Sequence, residues 1–363
     1  MKVLYLIPRF ITAGAERLVL EYARRLPEFG YEVAVASVRG GGELVEEFNK
    51  IKKNSPRLFG EDGETAFWRR MNELNKFIES WQPDIIHSHI FSADAAGYLI
   101  KRKFGIPWIS TQHNGAQSVS GLRQLVLRRA LRWADRVVAV SENVAEDIKK
   151  YWRVDERHVS LITNGIDLAQ ACPHCTSSRA LLLERRRRLL FAIVGRLEEQ
   201  KGHDILFRAL AHLIDLPWDL HIYGDGALRG ELENLARELA INERMHWHGV
   251  VTDMPPALSH VDCVIAPSRF EGMSLAVMEA MAAGCIVIAS EAAGTGLIED
   301  KMTGLIVPNE NVEALTRTLK FVIQERQKLA DMPDRARVYA QDNFRIEKHI
   351  NQLRHIYEEI KQN

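Results

Sequence analysis

The segment that decides the fold of this chain reads Phe270-Glu271-Gly272-Met273-Ser274-Leu275-Ala276-Val277-Met278-Glu279-Ala280-Met281-Ala282-Ala283-Gly284. Apolar runs at 263–266 and 286–289 have the composition of buried strands, so the segment is predicted to be a loop and a helix between two strands. Glu271 falls in the loop just before the helix, and Glu279 falls about two turns into it. Two carboxylates are therefore predicted within one strand–loop–helix–strand unit.

The start of the predicted helix offers an anion-binding site. The backbone N–H groups at 272–275 have no acceptor within the helix, and together with the helix dipole they favour a phosphate. Carboxylates beside a phosphate can accept hydrogen bonds from the vicinal hydroxyls of a sugar. The alternative is that Glu271 is a solvated loop residue and Glu279 a surface residue. The apolar neighbours Met278 and Met281 argue against a solvated Glu279, because a charge among them needs a partner.

This segment resembles the Glu-x7-Glu motif of the family 4 glycosyltransferases, which are retaining, nucleotide-sugar-dependent enzymes of GT-B fold. The resemblance implies that Glu279 holds the ribose hydroxyls of the donor and that Glu271 holds the hydroxyls of its sugar. It also implies that the loop at Gly272 and the backbone N–H groups of 273–275 meet phosphate or sugar oxygens.

Composition sets the outer limits of the prediction. The chain has 363 residues, of which 46% are hydrophobic and 26% charged, as in soluble proteins of two domains. Its formal net charge of zero gives no argument for nucleic acid as a partner. No run of about 18 apolar residues predicts a transmembrane helix, and the N-terminal segment is predicted to be a strand rather than a secretory signal. The thiols of Cys263 and Cys285 are expected to be buried, and a cytoplasmic location is expected.

Strands and helices alternate along residues 1–167, which predicts a doubly wound parallel sheet. Ligands of such sheets bind beyond the carboxyl ends of the strands. Gly14, His89 and His113 each follow or end a predicted strand, so we expect them to converge on one crevice. Gly14 lets a ligand approach the next helix closely, although members of the family often carry a further glycine where this chain has Ala13.

Two histidines, His87 and His89, end the same predicted strand. Because side chains alternate along a strand, we expect at most one of them to face the crevice, and we favour His89 on the acceptor side. His113 resembles the histidine of the family's first domain that faces the donor sugar. For each histidine the alternative is a structural residue with satisfied ring nitrogens.

An amphipathic helix is predicted at 121–136, with Val126 on its apolar, core-facing side. Its basic side carries Arg128, Arg129, Arg132 and Arg136. The simpler interpretation is a solvated charged face. The alternative is a peripheral contact with anionic lipid headgroups, which would suit an enzyme whose acceptor is anchored in a membrane.

Hydrophobic periodicity is lost at 168–188, which we interpret as a domain linker. The motif Cys172-Pro173-His174-Cys175 within it has the spacing of a redox pair or of half a zinc site. No second Cys/His pair follows at zinc spacing and no strand leads directly into the motif, so we predict no function for it. The run Arg185-Arg186-Arg187-Arg188 is expected to be solvated.

The second half begins with a predicted strand that ends at Gly195. Arg196 and Lys201 flank the loop that follows, where two cations can hold a diphosphate, or where two basic residues are simply exposed. The loop resembles the family's Gly-Arg…Lys-Gly segment, which implies that both cations contact the donor phosphates and offset the charge of the leaving group. By the same resemblance, Gly224-Asp225-Gly226 and the segment 245–251, with Val250, lie beside the nucleotide.

The chain is thus predicted to be an α/β protein of two Rossmann-like domains that face a cleft, as in the GT-B fold. The N-terminal domain, 1–167, is expected to bind the acceptor. After the linker at 168–188, the domain at 189–344 is expected to bind the nucleotide-sugar. The resemblance implies that a C-terminal helix within 345–363 crosses back to the first domain.

The resemblance implies a retaining glycosyltransferase of hexosyltransferase type, acting in bacterial-type surface polysaccharide or glycoconjugate synthesis. The residues implied in catalysis are His113, Arg196, Lys201 and Glu271. The residues implied in donor binding are Gly14, Gly224, Gly226, Val250, Gly272, Met273, Ser274, Leu275 and Glu279. His89 is placed on the acceptor side.

The expected partners are a nucleotide-sugar and a glycan or lipid-linked acceptor, with no nucleic acid. The sequence has no Asp-x-Asp motif and no evident protein nucleophile, so we expect no metal and no cofactor besides the nucleotide-sugar co-substrate. Two other classes stay open: a GT-B sugar-nucleotide epimerase, and a nucleotide-sugar-binding module without transferase activity. A peripheral position on the inner face of the cell membrane also stays open.

Overall fold

The computed structural model describes residues 1–51, 57–59, 66–119, 121–171, 187–251 and 254–362. The chain divides into two compact units. Unit 1 comprises Met1–Gly165 and Glu347–Asn363, and unit 2 comprises Ile166–Ile346. The motif at 172–175, part of the run 185–188 and most of the predicted linker lie outside the described residues, so those predictions stay untested.

Unit 1 contains a seven-stranded sheet in which every pairing is parallel. Its strands are β1 (Lys2–Ile7), β2 (Glu32–Ser37), β3 (Arg57–Phe59), β4 (Ile85–His89), β5 (Trp108–Gln112), β6 (Arg136–Ala139) and β7 (Val159–Leu161). Their order in the sheet is β3-β2-β1-β4-β5-β6-β7. The order reverses between β1 and β4, which is the topological switch point of a doubly wound fold.

Unit 2 repeats this plan with six parallel strands. They are β8 (Leu189–Val194), β9 (Trp218–Tyr223), β10 (Met245–Gly249), β11 (Cys263–Ala266), β12 (Ile286–Ser290) and β13 (Leu305–Val307). The order β10-β9-β8-β11-β12-β13 reverses between β8 and β11. The predicted α/β class with two Rossmann-like sheets is therefore confirmed.

Helices cover these sheets, as parallel strands require. The described helices are α1 (Gly14–Arg25), α2 (Val45–Asn49), α3 (Phe67–Trp81), α4 (Phe91–Phe104), α5 (Leu122–Leu131), α6 (Glu142–Lys150), α7 (Leu168–Ala171), α8 (His203–Ala211), α9 (Arg229–Glu238), α10 (Met254–Leu258), α11 (Leu275–Ala282), α12 (Glu291–Gly294), α13 (Val312–Gln324), α14 (Met332–Asn343) and α15 (Ile346–Gln362). Successive side chains of β8 point to opposite faces of the sheet, since Phe191 belongs to the apolar cluster on one face and Ala192 to the cluster on the other.

The structure shortens the predicted helix at 121–136. Helix α5 ends at Leu131, and Arg136 opens β6 instead of joining the basic face of the helix. Beyond the end of the helix, the backbone N–H of Asp135 donates to the carbonyl of Trp108 at 2.9 Å, which ties the chain to the sheet. The prediction that Val126 faces the core is also wrong, because its side chain is 44% exposed.

The C-terminal helix α15 completes unit 1 rather than unit 2. The hydroxyl of Tyr357 lies 2.6 Å from the hydroxyl of Tyr5 and 2.6 Å from Nδ1 of His87. One residue of the helix also binds the segment that follows β7, since Nδ1 of His349 donates to the carbonyl of Thr163 at 2.7 Å. None of the helices described here is both long and apolar enough to cross a membrane.

Candidate active site

The switch point of unit 2 brings two loops together. One loop, 195–202, follows β8, and the other, 267–274, follows β11, the neighbouring strand. Loops at the carboxyl ends of such strands form the ligand-binding crevice of doubly wound sheets. The segment 270–284 therefore begins in the crevice of unit 2.

An ion pair joins the two loops. Nζ of Lys201 donates to Oε1 of Glu271, and the side chains are only 19% and 8% exposed. The hydroxyl of Ser268 donates to the same carboxylate oxygen at 3.2 Å. Glu271 is therefore oriented from two directions and is not a solvated loop residue. Because an ammonium group has three N–H donors, Lys201 can hold Glu271 and an anion at once.

Further contacts fix the loop that carries Glu271. The side-chain amide of Gln200 donates to the carbonyl of Phe270 at 3.0 Å, and the N–H of Arg269 donates to the carbonyl of Gln200 at 2.8 Å. The Arg269 guanidinium binds both carboxylate oxygens of Asp204, at 3.0 and 2.8 Å. Sequence reasoning missed Arg269 and Asp204, because only the adjacency of β8 and β11 brings these distant residues together.

Glycines let the site loops pack backbone against backbone. Gly224 has φ +143°, and a Cβ atom there would lie 1.9 Å from the carbonyl oxygen of Gly195. A Cβ atom at Gly226 would lie 2.6 Å from the carbonyl oxygen of Leu197. Larger residues at both positions would push the loops apart. The Gly-x-Gly motif therefore shapes the floor of the site, whatever it contributes to ligand contact.

Helix α11 presents its N-terminus in this crevice and carries the second acidic residue. Ser274 is its N-cap and makes no side-chain capping bond. Glu279 is the fifth residue of the helix, about half a turn closer to the loop than predicted. Glu279 is buried, with 9% exposure, and so are its neighbours Met278 and Ala280, so the interpretation of Glu279 as a surface residue is wrong.

Arg196 and Val250 lie at the exposed rim of the crevice. Arg196 forms an ion pair with Glu198 at 2.6 Å, and the two side chains are 45% and 41% exposed. Pairs of such exposure contribute about 0–1 kcal/mol, so an incoming anion can displace the carboxylate. Val250 is 50% exposed and follows Gly249, whose carbonyl accepts a hydrogen bond from the N–H of Gly224 at 2.7 Å.

The three histidines singled out from the sequence, His87, His89 and His113, lie in unit 1. Nδ1 of His89 lies 2.8 Å from Nε2 of His113, and the rings of His87 and His89 stack with their centres 4.6 Å apart. His87 and His89 share a face of the sheet, as residues two apart on a strand do, so the reason for expecting at most one of them at the crevice is wrong. The expectation itself stays a prediction. His87 is bound by Tyr357 and Thr111, at 2.6 and 2.7 Å, and is thereby fixed within the fold.

These histidines are neutral at pH 7. Burial, with a smaller contribution from His349, lowers the pKa of His113 to about 3. Burial lowers the pKa values of His87 and His89 well below the usual value. Nε2 of His89 is buried and has no hydrogen-bond partner among the described residues. His113 can therefore accept or donate one hydrogen bond but does not carry charge.

Gly14 belongs to unit 1, whereas the other predicted donor-binding residues belong to unit 2. It is the first residue of α1 and follows β1, the neighbour of β4, which ends in His89. Gly14 and His89 therefore flank the switch point of unit 1. The N-cap position is taken by Ala13, in an extended conformation.

A cavity of about 520 Å³ opens beside His113 in unit 1, lined by residues that follow β4 and β5 and by α5. Ile90, in its wall, has φ +72° and ψ 153°, a conformation that non-glycine residues rarely adopt. Such strain costs about 1–3 kcal/mol and is typical of functional sites. No sequence pattern predicts this cavity, because an isoleucine does not predict a backbone of positive φ.

Among the described residues, no group of three or more His, Cys, Asp or Glu side chains could hold a metal ion. The expectation that no metal or cofactor is needed stays a prediction.

Two family descriptions match the chain in succession. "Glycosyltransferase Family 4" matches residues 12–170, and "Glycosyl transferases group 1" matches residues 188–325. This chain belongs to glycosyltransferase family 4. The glycosyltransferase activity and the GT-B architecture expected from the sequence are thereby confirmed.

Similar proteins include glycosyltransferases of known specificity. The chain is 29% identical to a D-inositol 3-phosphate glycosyltransferase of Salinispora tropica, across 95% of this chain and 81% of the relative. It is 25% identical to the UDP-Gal:alpha-D-GlcNAc-diphosphoundecaprenol alpha-1,3-galactosyltransferase of Escherichia coli, across 78% and 77%. Anabaena HepE in complex with UDP-glucose has the same fold, with a TM-score of 0.85 and 20% identity over 99% of this chain and 100% of HepE.

Proposed function

We propose that this glycosyltransferase moves a sugar from a nucleotide-sugar to a hydroxyl of a glycan, lipid-linked or other acceptor, in the synthesis of a surface polysaccharide or glycoconjugate. The anomeric configuration is retained. The observation that carries this proposal is the Lys201–Glu271 pair, which lies at the switch point of unit 2 beside the N-terminus of α11. The curated relatives, which act on an inositol phosphate and on a diphosphoundecaprenol-linked sugar, support it.

The donor diphosphate binds at the N-terminus of α11. Helix N–H groups, Lys201 and Arg196 together supply the positive potential that a diphosphate needs. Arg196 leaves its exposed carboxylate partner to bind phosphate, whereas Lys201 keeps its bond to Glu271. Buried Glu279 accepts hydrogen bonds from the ribose hydroxyls, and this contact fixes the nucleoside.

The transferred sugar is held by hydrogen bonds to one charged side chain and one neutral side chain. Glu271, oriented by Lys201 and Ser268, accepts hydrogen bonds from hydroxyls of the sugar. His113 makes a further hydrogen bond to the sugar without attracting the diphosphate, because it is uncharged. His89, in contact with His113, positions that ring and lies on the acceptor side.

The reaction is a front-face substitution. The bond between the anomeric carbon and the diphosphate oxygen breaks, and the acceptor oxygen bonds to the same face of that carbon. The departing diphosphate takes the proton of the acceptor hydroxyl. Arg196 and Lys201 stabilise the negative charge that develops on the diphosphate, so neither a protein nucleophile nor a metal ion is part of the proposal.

Proton NMR of the protein with a panel of nucleotide-sugars tests this proposal. Without acceptor, we expect slow hydrolysis of one donor, and the released sugar should first appear with the anomeric configuration of the donor. An isomerised nucleotide-sugar would identify an epimerase instead. Binding without any turnover of any donor, with acceptors added, would identify a binding module.

Peripheral contact with an anionic membrane is the second part of the proposal. Helix α5 and the turn after it expose apolar side chains, with exposures of 76% for Leu122, 60% for Leu125 and 49% for Trp133. Arg129 and Arg132 are exposed beside them. Apolar groups that insert at the interface and cations that meet lipid phosphates are the two components of peripheral binding.

Sedimentation with lipid vesicles tests the membrane contact. We expect the protein to bind phosphatidylglycerol vesicles and not phosphatidylcholine vesicles, and to lose binding as salt is raised. Trp133→Gln should reduce binding, whereas the equally exposed Val338→Gln, in unit 2, should not. Equal partition to both kinds of vesicle, or none, would contradict the contact.

A further inference from the structure

The cavity beside His113 has two chemically different walls. One wall is polar and consists of Gln112, His113 and Asn114, which end or follow β5. Another wall includes the apolar side chains of Phe91 and Leu122. The volume of about 520 Å³ lies in the range of small-molecule sites. A ligand that satisfies both walls has a polar end and an apolar end.

A single cation stands among the described residues that line this cavity. Arg123 is exposed, and its guanidinium lies 6.0 Å from the centre of the Phe91 ring. No acidic side chain is among the lining residues in the described part of the chain. Guanidinium groups bind phosphate through paired hydrogen bonds, so the natural complement of Arg123 is a phosphate at the border of the polar and apolar walls.

The apolar wall does not end at the cavity. Leu122 lines the cavity and is nevertheless 76% exposed, and Leu125, one turn further along α5, is 60% exposed. Large apolar side chains in a row on a helix indicate a surface that is covered when the protein works. A hydrocarbon chain that begins in the cavity at Leu122 can follow the helix outward.

We propose that this cavity, here called the acceptor cavity, binds an acceptor in which a sugar is joined through phosphate to a hydrocarbon chain. The acceptor sugar lies against Asn114, the phosphate binds Arg123, and the chain leaves along Leu122. The identification of this ligand as the acceptor rests on the proposed function. A soluble sugar phosphate shares the phosphate contact but leaves the apolar wall uncovered.

Calorimetric titration of the whole protein with three small probes, below their micelle concentrations, separates these contributions. Octyl phosphate carries both groups, inorganic phosphate carries only the anion, and octyl glucoside carries a chain and a sugar without charge. We expect octyl phosphate to bind at least about tenfold more tightly than either of the others, since chain burial and a charge-assisted bond add.

Matched variants locate the site. Arg123→Gln should weaken octyl phosphate about tenfold and leave octyl glucoside unchanged, because only the charge-assisted bond is lost. Leu122→Gln should remove the advantage of octyl phosphate over inorganic phosphate. Val338→Gln is the control, since Val338 is an exposed apolar residue of unit 2 that does not line the cavity, and it should leave all three affinities unchanged.

Equal affinities for octyl phosphate and inorganic phosphate would overturn the lipid part of the proposal and favour a soluble sugar phosphate. If neither Arg123→Gln nor Leu122→Gln changed the binding of octyl phosphate, the assignment of the acceptor cavity as its binding site would be wrong. Donor turnover, followed in parallel, separates this inference from the proposed function. If the probes bind as expected while no donor is turned over, the cavity stands and the transferase reaction fails.

Discussion

The polar side chains at the strand ends are charged in unit 2 and neutral in unit 1. In unit 2 the crevice is built from ion pairs, of which Lys201–Glu271 is the most buried and Arg196–Glu198 the most exposed. In unit 1 the corresponding strand ends carry histidines that burial keeps neutral, such as His113. The difference indicates a division of labour: unit 2 is suited to bind and release a diphosphate, and unit 1 is suited to orient hydroxyl groups.

Hydrogen bonding explains how unit 1 tolerates so many buried polar rings. Nδ1 of His349 must donate to the carbonyl of Thr163, so Nε2 of the neutral ring accepts a hydrogen bond from the hydroxyl of Tyr22, at 2.6 Å. Burial lowers the pKa of His349 to about 4. A charged ring would lose the bond from Tyr22, so here hydrogen bonding and the neutral state support each other.

The largest effect is expected from Lys201→Ala, which removes the cation that both loops share. We expect kcat/KM to fall about 10²–10³-fold, because a preorganised charge is lost where charge develops and Glu271 is left without its partner. Steady-state kinetics with the identified donor measure this. Arg188→Ala removes an exposed cation that pairs with Asp219, and it is the control that should leave the rate unchanged. Equal rates in both variants would break the comparison between the units.

A smaller effect is expected from Glu279→Ala. Loss of the buried carboxylate should weaken binding of the nucleoside diphosphate about 10–100-fold, because bonds from two ribose hydroxyls to a charged acceptor are removed. Glu279→Gln keeps the volume and one acceptor and should lose less. Calorimetry gives the affinities, and thermal unfolding shows whether each variant is folded. Unchanged affinity in a folded Glu279→Ala would remove Glu279 from the donor site.

Arg196→Ala should have a more selective effect. Because Arg196 is at the exposed rim, its loss should leave nucleotide affinity within about threefold and lower kcat about tenfold, as expected for a cation that meets charge mainly in the transition state. Calorimetry and kinetics on the same variant separate the two effects. A fall in affinity as large as the fall in kcat would show that Arg196 binds the ground state equally well.

The smallest effect per residue is expected from lowering the pH. Acid should reduce the stability of unit 1 more than that of unit 2. Above about pH 6.5 the buried histidines of unit 1 are neutral in both the folded and the unfolded chain. As the pH falls toward 4, the unfolded chain takes up protons that the folded unit excludes, so each histidine costs at most about 1.4 kcal/mol per pH unit. Asp94 opposes this, because burial raises its pKa to about 6 and the folded unit takes up that proton first.

Hydrogen exchange followed by mass spectrometry at pH 7, 6 and 5 measures this difference for each unit, after correction for the intrinsic pH dependence of exchange. The four histidines concerned are His87, His89, His113 and His349. We expect unit 1 to lose protection before unit 2. In unit 2, burial lowers the pKa of His203 to about 3, so its protection should also decline, but less steeply. Equal loss in both units would contradict the assignment of neutral histidines.

The sequence predicted what depends on periodicity and local spacing. Alternating apolar runs and helical segments were sufficient for two parallel sheets, and the spacing of Glu271 and Glu279 was sufficient to place both in one strand–loop–helix unit. The end of α5 was predicted too late, since the contact that holds the following residue Asp135 on a strand 27 residues earlier is not visible in the local sequence. The Arg269–Asp204 pair, 65 residues apart, depends likewise on which strands are neighbours.

Other features depend on packing that no local pattern encodes. The strained backbone of Ile90 exists because the surrounding unit holds it, and the cavity beside it follows from that geometry. The pairing of His87 with Tyr357 spans 270 residues and requires α15 to belong to unit 1. The shared face of His87 and His89, by contrast, follows from the period of two along a strand and could have been predicted correctly.

A crystal structure with a nucleoside diphosphate tests the division of labour most directly, with the nucleotide chosen from UDP, GDP and ADP by the largest thermal stabilisation. The diphosphate should lie at the N-terminus of α11 within reach of Lys201 and Arg196, with the ribose hydroxyls on Glu279. A nucleotide bound instead in the cavity beside His113, or at any other place that leaves Lys201 and Glu279 without contact, would contradict it.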